Sequence, residues 1–286
     1  MATFTNQATL TYNGVTTTSN ITTGQIREPV TVTKTAVNDE YLPNELVTYA
    51  VNLVNTQSAS LTNVTITDNL GEYTSAGAEY HPLTYKSGSV QYYANGVRQT
   101  TPTVTATDTS LQIEGISIPG NGNATVLYQT TVNAYAPLGE AANIVNTAFV
   151  TGNGIGNVSA TETINHEKVA VLNISKALEP VSVFENGHVT YTFQITNTGN
   201  TPITTQDQVT ITDTFDPALQ ITSVTFNETA WQPTTNYTYS QTSGLFTTQT
   251  GQITVPAATY TQNADGTYST TPGVSTLVVT GTLLSA

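Results

Sequence analysis

The chain of 286 residues contains no cysteine, so no disulfide bond can stabilise it. Outside the cell, a protein of this kind would need another form of stabilisation. Basic residues are scarce: six lysines and arginines stand against nineteen acidic residues, a formal net charge of −13. This balance argues against binding to nucleic acids or to anionic membranes. The sequence also has no apolar run long enough to span a bilayer, and its N-terminus lacks the pattern of a signal peptide.

Recognisable catalytic motifs are missing as well. The sequence shows no serine–histidine–aspartate set, no cysteine nucleophile and no phosphate-binding loop. His81, His166 and His188 are scattered without the spacing of metal ligands, and DTFDP at residues 213–217 is expected to form a turn. We therefore predict no cofactor, no metal site and no enzyme that turns over a substrate.

The residues that are abundant indicate an all-β protein. Thr, Asn, Val and Tyr recur in short alternating runs between Gly, Asn and Pro, and no convincing amphipathic helix is found. The length suits two domains, and strands at this spacing predict two immunoglobulin-like β-sandwiches in tandem. We assign residues 1–26 to an N-terminal strand and linker, 27–165 to the first sandwich and 166–286 to the second.

An internal repeat supports this division. One copy reads VTVTKTAVNDEYLPNELVTYAVNLVN and the other VLNISKALEPVSVFENGHVTYTFQITN. When the two copies are aligned, Lys34 matches Lys176. A short insertion in the second copy then shifts the register, after which Asp68 matches Asp213.

A second repeat concerns the closing strand of the first sandwich. FTNQATLTYNGV at residues 4–15 matches IVNTAFVTGNGI at residues 144–155, so Asn6 matches Asn146. The second half of the sequence ends at TLVVTGTLLSA without such a strand. We therefore expect the N-terminal strand of one molecule to complete the second sandwich of another. The alternative, in which the strand folds back to close the second sandwich of its own chain, stays open.

Strand alternation places polar residues on faces that are otherwise apolar. The matched polar residues on such faces are Lys34 and Lys176, Asp68 and Asp213, and Asn146 and Asn6. The first sandwich contains all three residue types, and the second lacks only the asparagine. On the N-terminal strand, the apolar residues that share the face of Asn6, and that would form the donor-strand core, are Phe4, Ala8 and Leu10.

A lysine, an aspartate and an asparagine that are buried together can form an isopeptide bond. Burial lowers the pKa of lysine and raises that of aspartate, by as much as about 3–5 units in fully apolar sites. A neutral amine is a nucleophile, and a protonated carboxyl group can donate a hydrogen bond that polarises the asparagine carbonyl. Attack on that carbon expels ammonia and leaves an amide between the two side chains.

The runs TKTAVNDEYLPNELVTYAVNLVN, LTNVTITDNL and NIVNTAFV resemble the conserved repeat domain of bacterial surface proteins called domain of unknown function eleven. They are also similar to isopeptide-forming domains of Gram-positive fimbrial subunits. The resemblance covers most of residues 30–155 and again 169–215, and it is weak from about 216 to 270.

Carried over by position, the resemblance implies a bond from Lys34 to Asn146 with Asp68 assisting. It also implies that Lys176 and Asp213 await an asparagine. The order of family strands departs from this chain at both ends, and that departure implies joining between subunits. The alternative for Lys34 and Asp68 is a plain buried salt bridge with Asn146 hydrogen-bonded nearby.

These observations predict a structural subunit of a bacterial surface filament, such as a pilus, a fimbria or a spore appendage. Subunits would join head to tail by donor-strand exchange, with Lys176 bonded to Asn6 of a neighbour, and without nucleic-acid or membrane partners. The alternative is a surface adhesin module that binds a glycan or a host receptor. Its binding residues would be aromatic side chains of the second sandwich: Trp231, Tyr237, Tyr239, Tyr260 and Tyr268.

Overall fold

A computed structural model describes residues 2–26 and 29–284, and nearly all regular structure in these ranges is β-strand. Within them, the 3-10 turn Thr205–Asp207 is the only helical element. The prediction of an all-β fold with immunoglobulin-like sheets is confirmed.

The chain divides into two compact units. The first unit comprises Met1–Ala136 and Asn143–Asn165, and the second comprises Pro137–Ala142 and His166–Ala286. Each unit has its own cluster of buried apolar side chains.

The N-terminal segment forms a long β-hairpin rather than the single predicted strand. β1 pairs with β4 and β2 pairs with β3, both antiparallel. The turn at Asn13 and Gly14 has positive φ at both residues, as two-residue hairpin turns require. Among the described residues, these strands pair only with one another. The strands of this N-terminal hairpin are β1 (Ala2–Asn6), β2 (Thr9–Tyr12), β3 (Val15–Thr18) and β4 (Thr22–Ile26).

The remainder of the first unit contains two larger sheets. Its strands are β5 (Val30–Ala36), β6 (Glu40–Tyr41), β7 (Leu46–Asn55), β8 (Leu61–Asp68), β9 (Tyr73–Ser75), β10 (Ala78–Tyr80), β11 (Leu83–Tyr85), β12 (Gln91–Ala94), β13 (Val97–Arg98), β14 (Thr103–Ala106), β15 (Leu111–Ile118), β16 (Asn123–Val132), β17 (Asn143–Gly152) and β18 (Ile155–His166). One sheet has the order β13-β12-β16-β7-β5, with β11 also on β16, and the other has the order β14-β15-β8-β17-β18-β6. The alternating apolar residues of β7, β8 and β16 fill the core between them.

The second unit repeats the first of these sheets. Its strands are β19 (Leu172–Glu179), β20 (His188–Asn197), β21 (Thr212–Thr214), β22 (Leu219–Phe226), β23 (Thr229–Ala230), β24 (Tyr237–Ser240), β25 (Leu245–Thr248), β26 (Thr259–Gln262), β27 (Tyr268–Thr271) and β28 (Gly273–Leu283). The order β19-β20-β28-β22-β23 reproduces β5-β7-β16-β12-β13 of the first unit.

The second sheet of this unit is shorter than its counterpart. Its order is β21-β25-β24, which matches β8-β15-β14 of the first unit. There, β8 lies between β15 and β17, and β18 continues the sheet. In the described part of the second unit, by contrast, β21 pairs with β25 alone. Over the residues that the structure describes, the second unit therefore has an open sheet edge where the first unit has β17 and β18.

Candidate functional site

Lys34 and Asp68 meet in the core of the first unit. Lys34 lies on β5 opposite Val51, and Asp68 is the last residue of β8. The Lys34 Nζ and Asp68 Oδ2 atoms are 2.5 Å apart, and both side chains are fully buried. The ammonium group also lies 4.8 Å from the centre of the Tyr49 ring. The structure thus brings together two of the three residues that the sequence predicts for this site.

Asp68 has further hydrogen-bond donors that the sequence did not reveal. The Tyr128 hydroxyl donates to Asp68 Oδ2, and the Leu70 backbone N–H donates to Oδ1 at 2.8 Å. Tyr128 lies opposite Tyr49 on β16, and their rings stack. A tyrosine inside an apolar strand was the available signal, since a buried phenol needs a polar partner. Asp68 therefore acts as an acceptor for three groups.

Asn146 lies on the inward face of β17, one strand from Asp68. Its Oδ1 atom accepts a hydrogen bond from the Gly71 backbone N–H at 3.1 Å. Its Nδ2 atom approaches the Tyr49 hydroxyl, but neither makes a well-formed hydrogen bond to any described residue. The hydrogen bond expected from Asp68 to the Asn146 carbonyl is thus made by Gly71 instead. The amide oxygen is held by a donor, and the amide nitrogen is left unpaired.

Burial tunes the acid–base chemistry of this site. Burial lowers the pKa of Lys34 to about 8, although the charges of Asp68 and Glu162 oppose the change. The desolvation of the Tyr49 and Tyr128 hydroxyls raises the pKa of each, so both remain phenols at neutral pH. A pKa near 8 leaves roughly a tenth of the Lys34 amine neutral at pH 7. That neutral fraction supplies a nucleophile beside a polarised amide carbonyl.

The lowered pKa of Lys34 predicts an unusual pH dependence in a variant that cannot form a bond at this site, Asn146→Ala. Its free energy of unfolding should rise from about pH 8 to pH 9.5, by up to ~1.4 kcal/mol per pH unit. In this range the unfolded lysine still binds a proton that the folded lysine has lost. Urea unfolding at several pH values measures the slope, and the matched control Asn146→Ala with Lys34→Met should lack this rise. A slope that persists in that control would exclude Lys34 as its source.

The second unit holds a partial copy of this site. Lys176 Nζ and Asp213 Oδ2 are 2.5 Å apart, and Lys176 lies 4.6 Å from the centre of the Tyr191 ring. The side chain of Lys176 is 37% exposed and that of Asp213 is 19% exposed, whereas both counterparts in the first unit are at 0%. Val279 faces Tyr191 where Tyr128 faces Tyr49. The matched lysine and aspartate are therefore paired but partly exposed to solvent, and a valine stands at the position that matches Tyr128.

An apolar groove is lined by residues of β19 and by residues 209–211, which lead into β21. It has a volume of about 160 Å³, and its lining includes Leu172, Ile174, Ile195, Val209 and Ile211. Leu172 and Ile174 on β19 are exposed, whereas Val30, which matches Leu172, is buried. The groove thus exposes side chains at positions that form core in the first unit.

The N-terminal hairpin repeats the pairing of β17 and β18. Asn6 faces Thr22 on β4, and Asn146 faces Glu162 on β18. Thr22 precedes Glu162 by the same distance along the sequence as Asn6 precedes Asn146. The registers agree along β1 and β4 and again at the pair Tyr12 and Val15, and they differ by one position at Thr9 and Leu10. All the predicted donor-strand side chains are exposed: Phe4, Asn6, Ala8 and Leu10.

The aromatic residues considered for glycan binding have structural partners. Trp231 is buried and stacks on Phe226, with ring centres 4.9 Å apart. Tyr237 is buried against Phe246. The Tyr239 hydroxyl donates to the backbone carbonyl of Leu219, and the Tyr260 hydroxyl donates to that of Thr198. Tyr268 lies on β27, in the β26–β27 hairpin.

The structure describes residues 2–26 and 29–284, and two properties of these residues bear on cofactors and membranes. No group of three or more metal-ligating side chains lies together in these ranges. Within the same residues, no helix has the length and apolar character needed to cross a bilayer.

No protein-family model and no curated protein sequence matches the chain. Several solved structures match weakly, and they are pilin and adhesin domains of Gram-positive bacteria. The major pilin subunit of Bacillus cereus is 12% identical, over 94% of this chain and 73% of that chain, with a TM-score of 0.39. A C-terminal fragment of the major pilin of Streptococcus agalactiae is 12% identical, over 51% and 58%, with a TM-score of 0.35. The collagen-binding domain of a Staphylococcus aureus adhesin is 14% identical, over 46% and 95%, with a TM-score of 0.29. The resemblance to the repeat domain of unknown function stays a prediction.

Proposed function

We propose that this protein is the structural subunit of an extracellular bacterial filament, on the surface of a cell or a spore. The N-terminal hairpin of one subunit fills the open edge of the second unit of the next. The proposal depends on one observation, which is that the same chain contains a hairpin and a sheet edge that match each other. An exposed hairpin repeats the pairing of β17 and β18, and the second unit has an open edge where those two strands lie in the first.

The docked hairpin gains both apolar contacts and backbone hydrogen bonds. Burial of Phe4, Ala8 and Leu10 in the groove contributes on the order of 4–6 kcal/mol. The unpaired edge of β21 gains a partner strand, as in other cases of strand addition. The donor and acceptor surfaces differ, so the contact is heterologous and propagates into a filament unless its rotation closes a ring.

In this proposal, an isopeptide bond cross-links β5 and β17 of the first unit. The neutral amine of Lys34 attacks Cγ of Asn146, while the Gly71 N–H stabilises the negative charge that develops on Oδ1. Asp68 accepts a proton from Nζ and passes it to Nδ2, which leaves as ammonia. The Nζ–Cγ bond forms, the Cγ–Nδ2 bond breaks, and Asp68 ends as it began. The reaction happens once per molecule, so it is self-modification rather than enzymatic turnover.

The same chemistry at the junction links Lys176 to Asn6 of the neighbouring subunit. Docking places Asn6 relative to β21 as Asn146 lies relative to β8, and Asp213 takes the role of Asp68. It also covers Lys176, which the free subunit leaves partly exposed. The partner in this proposal is another copy of the chain, without a cofactor.

Boiling in SDS tests the proposal. The assembled protein should run as a ladder of multimers, and electron micrographs should show filaments. Asn6→Ala should lose the ladder and keep the filaments, because only the bond is lost. Leu10→Asp should lose both, because a charge would enter an apolar groove. The control Asn20→Ala, in the same hairpin, should behave as the wild type, and a wild-type protein that remains monomeric would refute the proposal.

A further inference from the structure

We propose that the donated element is the whole N-terminal hairpin, and that its second arm, β4, pairs with residues 181–183 of the receiving copy. The inference rests on the proposed function, because it presumes that the hairpin docks on the second unit. It adds a second contact surface on the receiving copy, residues 181–183, none of which belongs to the lining of the groove.

The first unit shows what lies beyond a closing strand. β17 pairs with β18 along its length, and β18 in turn pairs with the short strand β6. The Asn165 backbone N–H donates to the Asp39 carbonyl at 2.7 Å. Tyr41 on β6 is fully buried in the core. Two strands therefore separate β8 from β6, and both belong to one hairpin.

The second unit contains the counterpart of β6 without a partner strand. In the alignment that matches Lys34 with Lys176, Val181 matches Asp39 and Val183 matches Tyr41. Residues 181–183 are not paired with any strand in the described part of the chain. The side chain of Val181 is 84% exposed, and an apolar, unpaired segment thus follows β19 at the place where β6 follows β5.

The N-terminal hairpin carries the counterpart of β18. In the alignment that matches Asn6 with Asn146, Gln25 on β4 matches Asn165. Gln25 faces Thr3, as Asn165 faces Asn143. The equivalent of the bond from Asn165 to Asp39 therefore runs from the Gln25 N–H to the Val181 carbonyl of the receiving copy.

Energetics favour a two-stranded donor over a single strand. The first arm, β1 and β2, is already paired with β4 and β3 on one side, so donating this arm alone would break those ladders. Each lost backbone hydrogen bond weakens the donor, because its groups must find new partners. Docking the hairpin intact keeps these pairs and uses the free edge of β2 for β21, because the residues of β17 that pair with β8 are Ala148–Thr151, which match residues 8–11. The free edge of β4 then meets residues 181–183.

Disulfide trapping tests this pairing, because the natural chain has no cysteine. A Gln25→Cys chain is mixed with a Val181→Cys chain, and the filaments are collected and mildly oxidised. Facing residues of antiparallel strands have Cα atoms about 4.5–5.5 Å apart, which suits a disulfide. We expect mass spectrometry of the digested filaments to show a disulfide between positions 25 and 181. The control pair of Thr17→Cys with Val181→Cys should give at least tenfold less.

The outcomes separate this inference from the proposed function. A disulfide between positions 25 and 181 that exceeds the control supports the two-stranded donor. Filaments that form without an excess of this disulfide would overturn the inference and leave the proposed function, docking at the open edge beside β21, in place. A wild-type chain that forms no filaments would overturn the proposed function itself.

Discussion

A covalent dimer should form when a Lys176→Ala chain is mixed with an Asn6→Ala chain, although neither chain should form one alone. The first chain keeps the asparagine and lacks the lysine in its acceptor site, and the second keeps the lysine and lacks the asparagine. Only a junction between the hairpin of the first and the second unit of the other contains both reacting groups. The covalent product should therefore stop at two chains, whereas the wild type gives a ladder.

Denaturing gels and intact mass measure this result. The junction bond makes the dimer lighter than the two chains together by the mass of one ammonia, in addition to any ammonia lost within each first unit. A second mixture, of the Lys176→Ala and Asn6→Ala chains after each has also received Leu10→Asp, is the control and should stay monomeric. A wild-type ladder without a dimer in the first mixture would place the covalent link at other residues. A wild-type monomer that loses two ammonia molecules would indicate that the hairpin folds back on its own chain.

Asp68→Ala should have the largest effect on the stability of the first unit. It leaves the fully buried Lys34 ammonium without its carboxylate. Breaking a buried ion pair in this way costs about 3–5 kcal/mol. It also removes the proton carrier for bond formation, so the first unit should retain its ammonia. Urea unfolding and intact mass measure the two effects separately.

Two matched variants identify the cause. Asn146→Ala also prevents the bond but keeps the pair of Lys34 with Asp68, so the difference between the two variants isolates the unpaired charge. Asp213→Ala removes the equivalent carboxylate beside Lys176, which is 37% exposed. It should destabilise its unit far less, because water solvates the lysine. An Asp68→Ala protein that still loses ammonia from the first unit would show that Asp68 is dispensable for the bond.

Strand alternation was sufficient to predict that Lys34 and Asp68 share a core. Period-two patterns report which face of a strand a residue occupies, and both residues lie among Val and Ile on that face. Alternation gives no information about which donor reaches which oxygen. For that reason the sequence assigned the Asn146 carbonyl to Asp68, whereas the structure gives it to the Gly71 N–H. A turn that follows β8 supplies this donor, and backbone groups leave no mark in a side-chain pattern.

The N-terminal hairpin shows a second limit of the sequence prediction. The Asn13-Gly14 pair is a strong hairpin signal, and the same pair recurs at Asn153 and Gly154. The apolar pattern before the turn was clear, whereas residues 15–26 are rich in Thr and lack apolar alternation. An arm with no apolar face of its own gives no periodic signal, so it was assigned to a linker.

The two similar hairpins also create a risk of self-inhibition during synthesis. The N-terminal hairpin leaves the ribosome before β17 and β18 exist, so it could occupy their place in its own first unit. The sizes of the side chains disfavour this misplaced docking of the N-terminal hairpin. Ile144 faces Ile164 in the true hairpin, whereas the matching positions hold Phe4 opposite Gly24.

The backbone at Gly71, which packs against Ile144, leaves little room for a phenyl ring in place of the isoleucine side chain. A Cβ atom on Gly71 would lie 2.7 Å from Ile144 Cγ2. Forcing a larger side chain into a packed core costs about 1–3 kcal/mol. The pairing of Phe4 with Gly24 thus disfavours docking of the N-terminal hairpin in the first unit of its own chain. The hairpin of a newly made chain therefore stays available for the second unit of a neighbouring subunit.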